Sequence, residues 1–124
     1  MLLVEDEPAI CFLFNALLKG HYVVRLAGSG DEGLQLIAAE PPFAVILSDY
    51  SLPSINGLDF LMQVKERSPS SVRILLSGHD PASIVMRNSD RESIFRFLSK
   101  PLKRIELLDA VEAAVEEWRS ATES

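Results

Sequence analysis

Short apolar runs alternate along this chain with longer segments in which apolar residues recur at helical spacing. The clearest run is Phe43 to Leu47, which lacks the polar and apolar alternation of a half-exposed strand. Such a run is typical of a strand that is covered on both faces, as in a parallel sheet between helices. The pattern predicts five strands, over residues 2–4, 22–26, 43–47, 72–76 and about 95–98.

The segments between these runs carry the end signals of helices. Pro8 suits the first position of a helix, Ser29 suits an N-cap, and Pro81 opens a weaker helix that we expect to end near Asn88. Residues 89–93 are predicted to be a polar loop. The other predicted helices stop at Gly20, at Pro41-Pro42, at Arg67 and at Trp118. Five strands that alternate with five helices predict an α/β fold, a doubly wound parallel sheet with helices on both faces.

Length and composition limit the kinds of protein this can be. We expect 124 residues to form one domain over residues 1–118, with 119–124 as a frayed tail or linker stub. A hydrophobic fraction of 48% and a charged fraction of 24% are typical of a globular protein, and no apolar stretch approaches the roughly 20 residues of a membrane span. The short apolar start runs directly into Glu5, so no secretory signal is predicted, and the lone Cys11 fits a reducing compartment. We therefore predict a cytoplasmic protein without a membrane contact, and the net charge of -6 argues against direct nucleic-acid binding by this segment.

Polar side chains cluster where the predicted strands end. Glu5 and Asp6 follow the first strand, Asp49 the third, Ser77 the fourth and Lys100 the fifth. Because the carboxyl ends of parallel strands share one edge, these residues are predicted to meet in a shallow pocket at the place where open α/β sheets bind ligands.

Such a pocket has a definite chemistry. Two like charges 4 Å apart repel by about 4 kcal/mol at an effective dielectric near 20, so three carboxylates require a cation. Oxygen ligands without His or Cys favour Mg²⁺, whose open coordination positions suit a phosphoryl group. Asp49 is the best-placed nucleophile for forming an aspartyl phosphate, and Lys100 and the Ser77 hydroxyl would offset the charge of the phosphoryl oxygens.

The set of motifs resembles that of two-component response-regulator receiver domains over nearly the whole chain. The matching motifs are Glu5-Asp6, Asp49 followed by Leu52-Pro53 and Asn56-Gly57, Ser77-Gly78, and Lys100-Pro101. The resemblance implies a flavodoxin-like sheet in the order 2-1-3-4-5. It also implies Mg²⁺ held by Glu5, Asp6, Asp49 and the carbonyl of Ser51, and phosphoryl transfer to Asp49 from a phosphohistidine of a histidine kinase or phosphotransfer protein.

The same resemblance implies a switch rather than an enzyme with a separate substrate. In the family, the hydroxyl residue that matches Ser77 moves toward the phosphoryl group and the aromatic residue that matches Phe97 turns inward. This movement changes the surface of the fourth helix, fifth strand and fifth helix, which controls an output and can form a homodimer. Ser51, Gly78 and His79 match positions that flank the phosphoryl group, and the small Gly78 and Ser51 predict an open site with quick exchange of phosphate.

Three other functions match parts of this pattern. A pseudo-receiver scaffold would keep the fold without accepting phosphate, but the complete set of Asp49, Ser77 and Lys100 argues against it. A phosphohydrolase of the haloacid-dehalogenase kind would carry a second Asp two residues after the nucleophile, where this chain has Ser51. A nucleotide- or flavin-binding protein of the same fold would need a glycine-rich loop after the first strand, and none is present.

Overall fold

A parallel sheet of five strands forms the centre of the chain. The computed structural model describes residues 1–78, 80–84 and 87–123. The strands are β1 (Leu2–Val4), β2 (Arg25–Ala27), β3 (Val45–Asp49), β4 (Val72–Ser77) and β5 (Arg96–Ser99). They lie in the order β2-β1-β3-β4-β5, and each pair is parallel.

Four helices connect consecutive strands, and a fifth follows the last strand. They are α1 (Pro8–Leu18), α2 (Gly30–Ala39), α3 (Gly57–Arg67), α4 (Asn88–Glu92) and α5 (Arg104–Glu123), with a 3-10 turn at Pro81–Ser83. The predicted N-cap at Ser29 is present, since its hydroxyl accepts a hydrogen bond from the backbone N–H of Glu32. Asn56 caps α3 in the same way through the N–H of Asp59.

Two separate apolar cores cover the two faces of the sheet. On one face α1 and α5 pack against the strands, with Phe14 and Leu107 among the buried residues. On the other face α2 and α3 do so, with Phe60 and Leu61 fully buried. The strands therefore have apolar neighbours on both sides, which explains the uninterrupted apolar run at residues 43–47, where β3 begins. The predicted doubly wound sheet and its strand order are confirmed.

The prediction for the fourth helix was wrong. Residues 81–83 form only a 3-10 turn, and α4 occupies Asn88–Glu92, where a loop was expected. The side chain and carbonyl of Asp80 accept hydrogen bonds from the N–H groups of Ala82 and Ser83, which closes a tight turn at the place where a helix was expected to begin. Two features favour the helix in this polar stretch: the Ser93 hydroxyl donates a hydrogen bond to the Ser89 carbonyl, and the adjacent Ile94 is buried.

Several boundaries also differ from prediction. β2 starts at Arg25 rather than residue 22 because β1 has only three residues to pair with it. β3 extends to Asp49 and thus includes the residue expected just beyond it. α5 continues past Trp118 through residue 123, and the Thr122 hydroxyl bonds to the Trp118 carbonyl within it. The predicted tail therefore begins inside a helix, while its role as a linker stub stays a prediction.

Among the helices described, none is both long enough and apolar enough to cross a lipid bilayer.

Candidate functional site

Three charged side chains from three strand ends meet at one edge of the sheet. Glu5 follows β1, Asp49 ends β3 and Lys100 follows β5. The Lys100 Nζ lies 3.1 Å from Glu5 Oε2 and 3.1 Å from Asp49 Oδ1. The residues converge because the order of the sheet places β1, β3, β4 and β5 side by side with their carboxyl ends together. A single ammonium group thus bridges two buried carboxylates.

The acidic residues at this edge form a potential cation site. Carboxylate oxygens of Glu5, Asp6 and Asp49 all lie within 4.8 Å of one another. Glu5 and Asp49 are buried at 2% and 5% exposure, whereas Asp6 is exposed. Three oxygen donors, one of them open to solvent, fit a hard divalent cation that keeps part of its water shell.

Burial and charge act on both ends of the Glu5–Lys100 pair. Burial raises the pKa of Glu5, the charge of Asp49 raises it further, and hydrogen bonds from Lys100 and the Glu7 N–H oppose this rise without cancelling it. For Lys100, burial lowers the pKa, but hydrogen bonds and charge from Glu5 and Asp49 outweigh burial and place its pKa above 10.5. Lys100 therefore stays protonated at neutral pH, yet one positive charge faces several carboxylates, and a second cation would stabilise the site.

The loop after β3 shapes the rim beside Asp49. Its path is closed by a 2.7 Å hydrogen bond from the Gly57 N–H to the Tyr50 carbonyl. A side chain at Gly57 would collide with the Asp49 carbonyl oxygen, so this close approach requires glycine. Ser51 is exposed, and no residue within the described ranges donates a hydrogen bond to its carbonyl. That carbonyl is thus open to a ligand, whereas the Tyr50 carbonyl is already engaged.

The predicted switch residues lie on neighbouring strands. Ser77 is buried at the end of β4, where it pairs with Ser99, and Phe97 pairs with Leu75 two residues earlier. Because side chains two residues apart share a face of a strand, Ser77 and Phe97 lie on the same side of the sheet. Phe97 is partly buried.

The residues predicted to flank a phosphoryl group are only partly described. Gly78 is exposed, and a Cβ placed there would meet no atom within 4 Å among the described residues beyond its chain neighbours. His79 lies outside the described residues. The rim next to Ser77 is therefore open at Gly78.

Comparison with known proteins decides the family. Residues 1–112 match the family model of the response regulator receiver domain. The chain belongs to this family. The resemblance inferred from the motifs is thereby confirmed, and the sheet order is that of a receiver domain of two-component response regulators.

Individual relatives agree with this assignment. The receiver domain is 32% identical over 116 residues to the hydrogenase transcriptional regulatory protein HoxA of Cupriavidus necator, covering 94% of this chain and 24% of HoxA. The solved structure of an adenylate cyclase from Rhodopirellula baltica superposes with a TM-score of 0.90 at 28% identity, over 98% of this chain and 90% of that chain. The response regulator TrrA of Thermotoga maritima, solved with Mg²⁺ and BeF, superposes with a TM-score of 0.78 over 91% of this chain and 96% of that chain; at 22% identity it shows the fold alone. The chain spans about a quarter of the length of the first curated relatives it matches.

Two residues of this receiver domain were missed in the sequence. Glu7 donates its backbone N–H to Glu5 Oε1 at 3.1 Å, and its carboxylate lies 4.0 Å from Lys100 Nζ. Arg91 places its guanidinium 5.7 Å from the centre of the Phe97 ring. The run of three consecutive acids was a usable signal for Glu7. Arg91 had none, because its segment was predicted to be a loop.

Proposed function

We propose that this receiver domain accepts a phosphoryl group on Asp49 from a phosphohistidine of a histidine kinase or phosphotransfer protein, in a Mg²⁺-dependent reaction. The observation that carries the proposal is the position of Asp49: it ends β3, bonds to Lys100 at 3.1 Å and shares the acidic cluster with Glu5 and Asp6. Asp49 is thus close both to the ammonium group of Lys100 and to two carboxylates that could bind a metal ion with it.

The residues present fit a divalent cation. The buried charge of Glu5 is costly, as its raised pKa indicates, and only Lys100 lies within ion-pair distance of it in the described part of the chain. Asp6, Asp49, Glu5 and the open carbonyl of Ser51 would hold the ion. A bound Mg²⁺ would supply charge neutralisation for the phosphoryl oxygens.

The chemistry assigned to the chain's own residues is simple. A bond forms between an Asp49 carboxylate oxygen and phosphorus while the phosphorus–nitrogen bond of the phosphohistidine breaks, and its electron pair returns to the imidazole. Lys100 offsets negative charge that develops on the phosphoryl oxygens, and the Ser77 hydroxyl donates a hydrogen bond to one of them. Positioning and charge account for most of such a transfer, and both are supplied by strand ends in a rigid sheet.

The product is a state of the protein rather than a released compound. We assign Ser77 and Phe97 to a switch that alters the surface of α4, β5 and α5, which controls an output or pairs two copies. The domain turns over no separate substrate and works in the cytoplasm, where histidine kinases deliver phosphoryl groups. The open rim at Ser51 and Gly78 favours rapid loss of the phosphoryl group, and a lifetime of many hours in purified protein would contradict that part.

Mass spectrometry after incubation with acetyl phosphate and Mg²⁺ tests the proposal. The wild-type protein is expected to gain one phosphoryl group, and both Asp49→Asn and a reaction without divalent cation are expected to gain none. Gain of a phosphoryl group by Asp49→Asn would show that a residue other than Asp49 accepts it. No gain by any form, together with no response to beryllofluoride, would favour a pseudo-receiver scaffold.

A further inference from the structure

Two arginines each lie over a phenylalanine ring, one on β5 and one just before it. The Arg91 guanidinium lies 5.7 Å from the centre of the Phe97 ring, and the Arg96 guanidinium lies 5.4 Å from the centre of the Phe95 ring. The pairs have the same chemistry and similar distances. They differ in place, since Phe97 packs against the core beneath α2 and α3 while Phe95 packs against the core beneath α1 and α5.

Only one of the two rings lies beside Ser77. The register pairs Leu75 with Phe97 and Ser77 with Ser99, so the Phe97 ring is the diagonal neighbour of the Ser77 side chain on one face of the sheet. Phe97 is also only partly buried, with its ring between the core and the Arg91 guanidinium. A cation placed over the ring stabilises this partly exposed position.

We propose that Arg91 is a positioning residue that holds the Phe97 ring in its partly exposed position and so sets how readily this receiver domain switches. The inference rests on the proposed function, because it deepens the account of how the phosphorylated site reaches the surface. Arg91 acts on the switch through the Phe97 ring, which its guanidinium contacts.

The helix that carries Arg91 is short but fastened at its end. Ser93, the residue after α4, accepts a hydrogen bond from Lys65 of α3 on its hydroxyl at 2.8 Å. Its carbonyl accepts another from Arg73 of β4 at 2.9 Å. These two bonds connect the end of α4 to a helix and a strand of the rigid core. The Arg91 guanidinium therefore has a fixed base from which to contact the ring.

The contact biases a two-state equilibrium because it exists in only one state. When Phe97 turns inward, its ring leaves the guanidinium, so the interaction free energy favours the resting packing alone. A cation–π contact at a partly exposed site corresponds to about two- to fivefold in population. A ligand that binds only the inward state therefore binds the protein more weakly, by the same factor, than it would without the Arg91–Phe97 contact. Removal of the Arg91 guanidinium should restore that lost affinity.

The experiment is a titration with beryllofluoride in the presence of Mg²⁺, followed by backbone amide NMR shifts. Arg91→Gln is expected to bind beryllofluoride about two- to fivefold more tightly than wild type. Arg91→Lys, which keeps a cation, is expected to return toward the wild-type affinity. Arg96→Gln is the control, because it removes a cation–π pair from Phe95 together with the 3.6 Å ion pair between Arg96 and Asp109 of α5, and it should not tighten the binding of beryllofluoride.

A second readout follows the rings directly in the absence of ligand. In protein labelled with ¹³C at phenylalanine, Arg91→Gln should shift the Phe97 ring signals and not those of Phe95, and Arg96→Gln should do the reverse. Thermal unfolding of each variant verifies that the fold is intact.

The outcomes separate this inference from the proposed function. Failure of the wild-type protein to bind beryllofluoride overturns the proposed function and this inference with it. If the wild-type protein binds beryllofluoride normally, any of three results overturns the role of Arg91 alone. These results are an equal affinity for Arg91→Gln, weaker binding by Arg91→Gln, and equal tightening in Arg96→Gln.

Discussion

The strand-end site and the α4–β5 face of this receiver domain are built in different ways. At the strand ends, Glu5 and Asp49 are buried and joined through Lys100 by two ion pairs of 3.1 Å, on backbone at or directly after the ends of strands. On the α4–β5 face, the described contacts of the five-residue helix include side-chain contacts of Lys65 and Arg73 with Ser93 and of Arg91 with Phe97.

The difference follows from what each region must do. A site that positions a nucleophile and a cation gains from rigid strands, because small displacements weaken both coordination and transfer. The two packings of a switching surface must have similar free energies. A few contacts of modest strength keep the difference between them small. Substitutions should therefore have large effects on stability at the strand ends and small effects on stability, with visible effects on switching, at α4 and β5.

The largest effect is expected at Gly57. Gly57→Ala places a methyl group against the Asp49 carbonyl oxygen and should lower the free energy of unfolding by about 3 kcal/mol. Chemical denaturation measures this loss. The matched control is Gly78→Ala, on the same rim, where an added Cβ meets nothing within 4 Å; equal stability losses in the two variants would refute the close approach at Gly57.

Removal of the shared cation should have the next largest effect. Lys100→Met leaves Glu5 and Asp49 without their ion-pair partner and should cost about 2 kcal/mol of unfolding free energy, less than a fully buried pair because the Lys100 side chain is 18% exposed. Added Mg²⁺ should restore more stability to this variant than to wild type, because it supplies the missing charge. Lys103→Met, which removes an exposed lysine nearby, should change neither quantity; if it matched Lys100→Met, the bridging role would be wrong.

The same pair predicts a dependence on alkaline pH. Because the pKa of Lys100 is raised in the folded protein above 10.5, its contribution to stability is complete below 10.5 and is lost as pH rises through the folded pKa. The stability difference between wild type and Lys100→Met should therefore stay constant up to about pH 10 and shrink as the pH rises beyond 10.5. Denaturation at a series of pH values measures it, and a constant difference would show that the ammonium charge contributes nothing.

The smallest effect on stability is expected at the attachment of α4. Lys65→Ala removes the 2.8 Å hydrogen bond to the Ser93 hydroxyl and should cost about 0.5–1 kcal/mol, because the pair is exposed. Amide hydrogen exchange should accelerate in α4 while β3 and β4 remain protected. Glu66→Ala, which changes an exposed neighbour on α3, is the control. Equal acceleration of exchange in both variants would show that the Lys65–Ser93 hydrogen bond does not stabilise α4.

Sequence reasoning succeeded where one backbone rule decides the structure. Parallel strands end at a shared edge, so the polar residues after each apolar run, Glu5, Asp49 and Lys100, could be placed together without knowledge of side-chain geometry. It failed where individual side chains decide. The turn at Asp80 and the helix at Asn88–Glu92 depend on local hydrogen bonds that the spacing of apolar residues does not predict. The contact of Arg91 with Phe97 depends in turn on that helix.

Paramagnetic NMR with Mn²⁺ in place of Mg²⁺ tests the central claim, that the strand-end residues together hold a divalent ion. We predict that low concentrations of Mn²⁺ broaden the amide signals of Asp6, Asp49, Ser51 and Lys100 first, that Arg73 and Ser93 at the far end of the sheet keep their signals, and that Asp49→Asn weakens the effect. Broadening spread evenly over exposed acidic residues, or none at Asp49, would contradict the account.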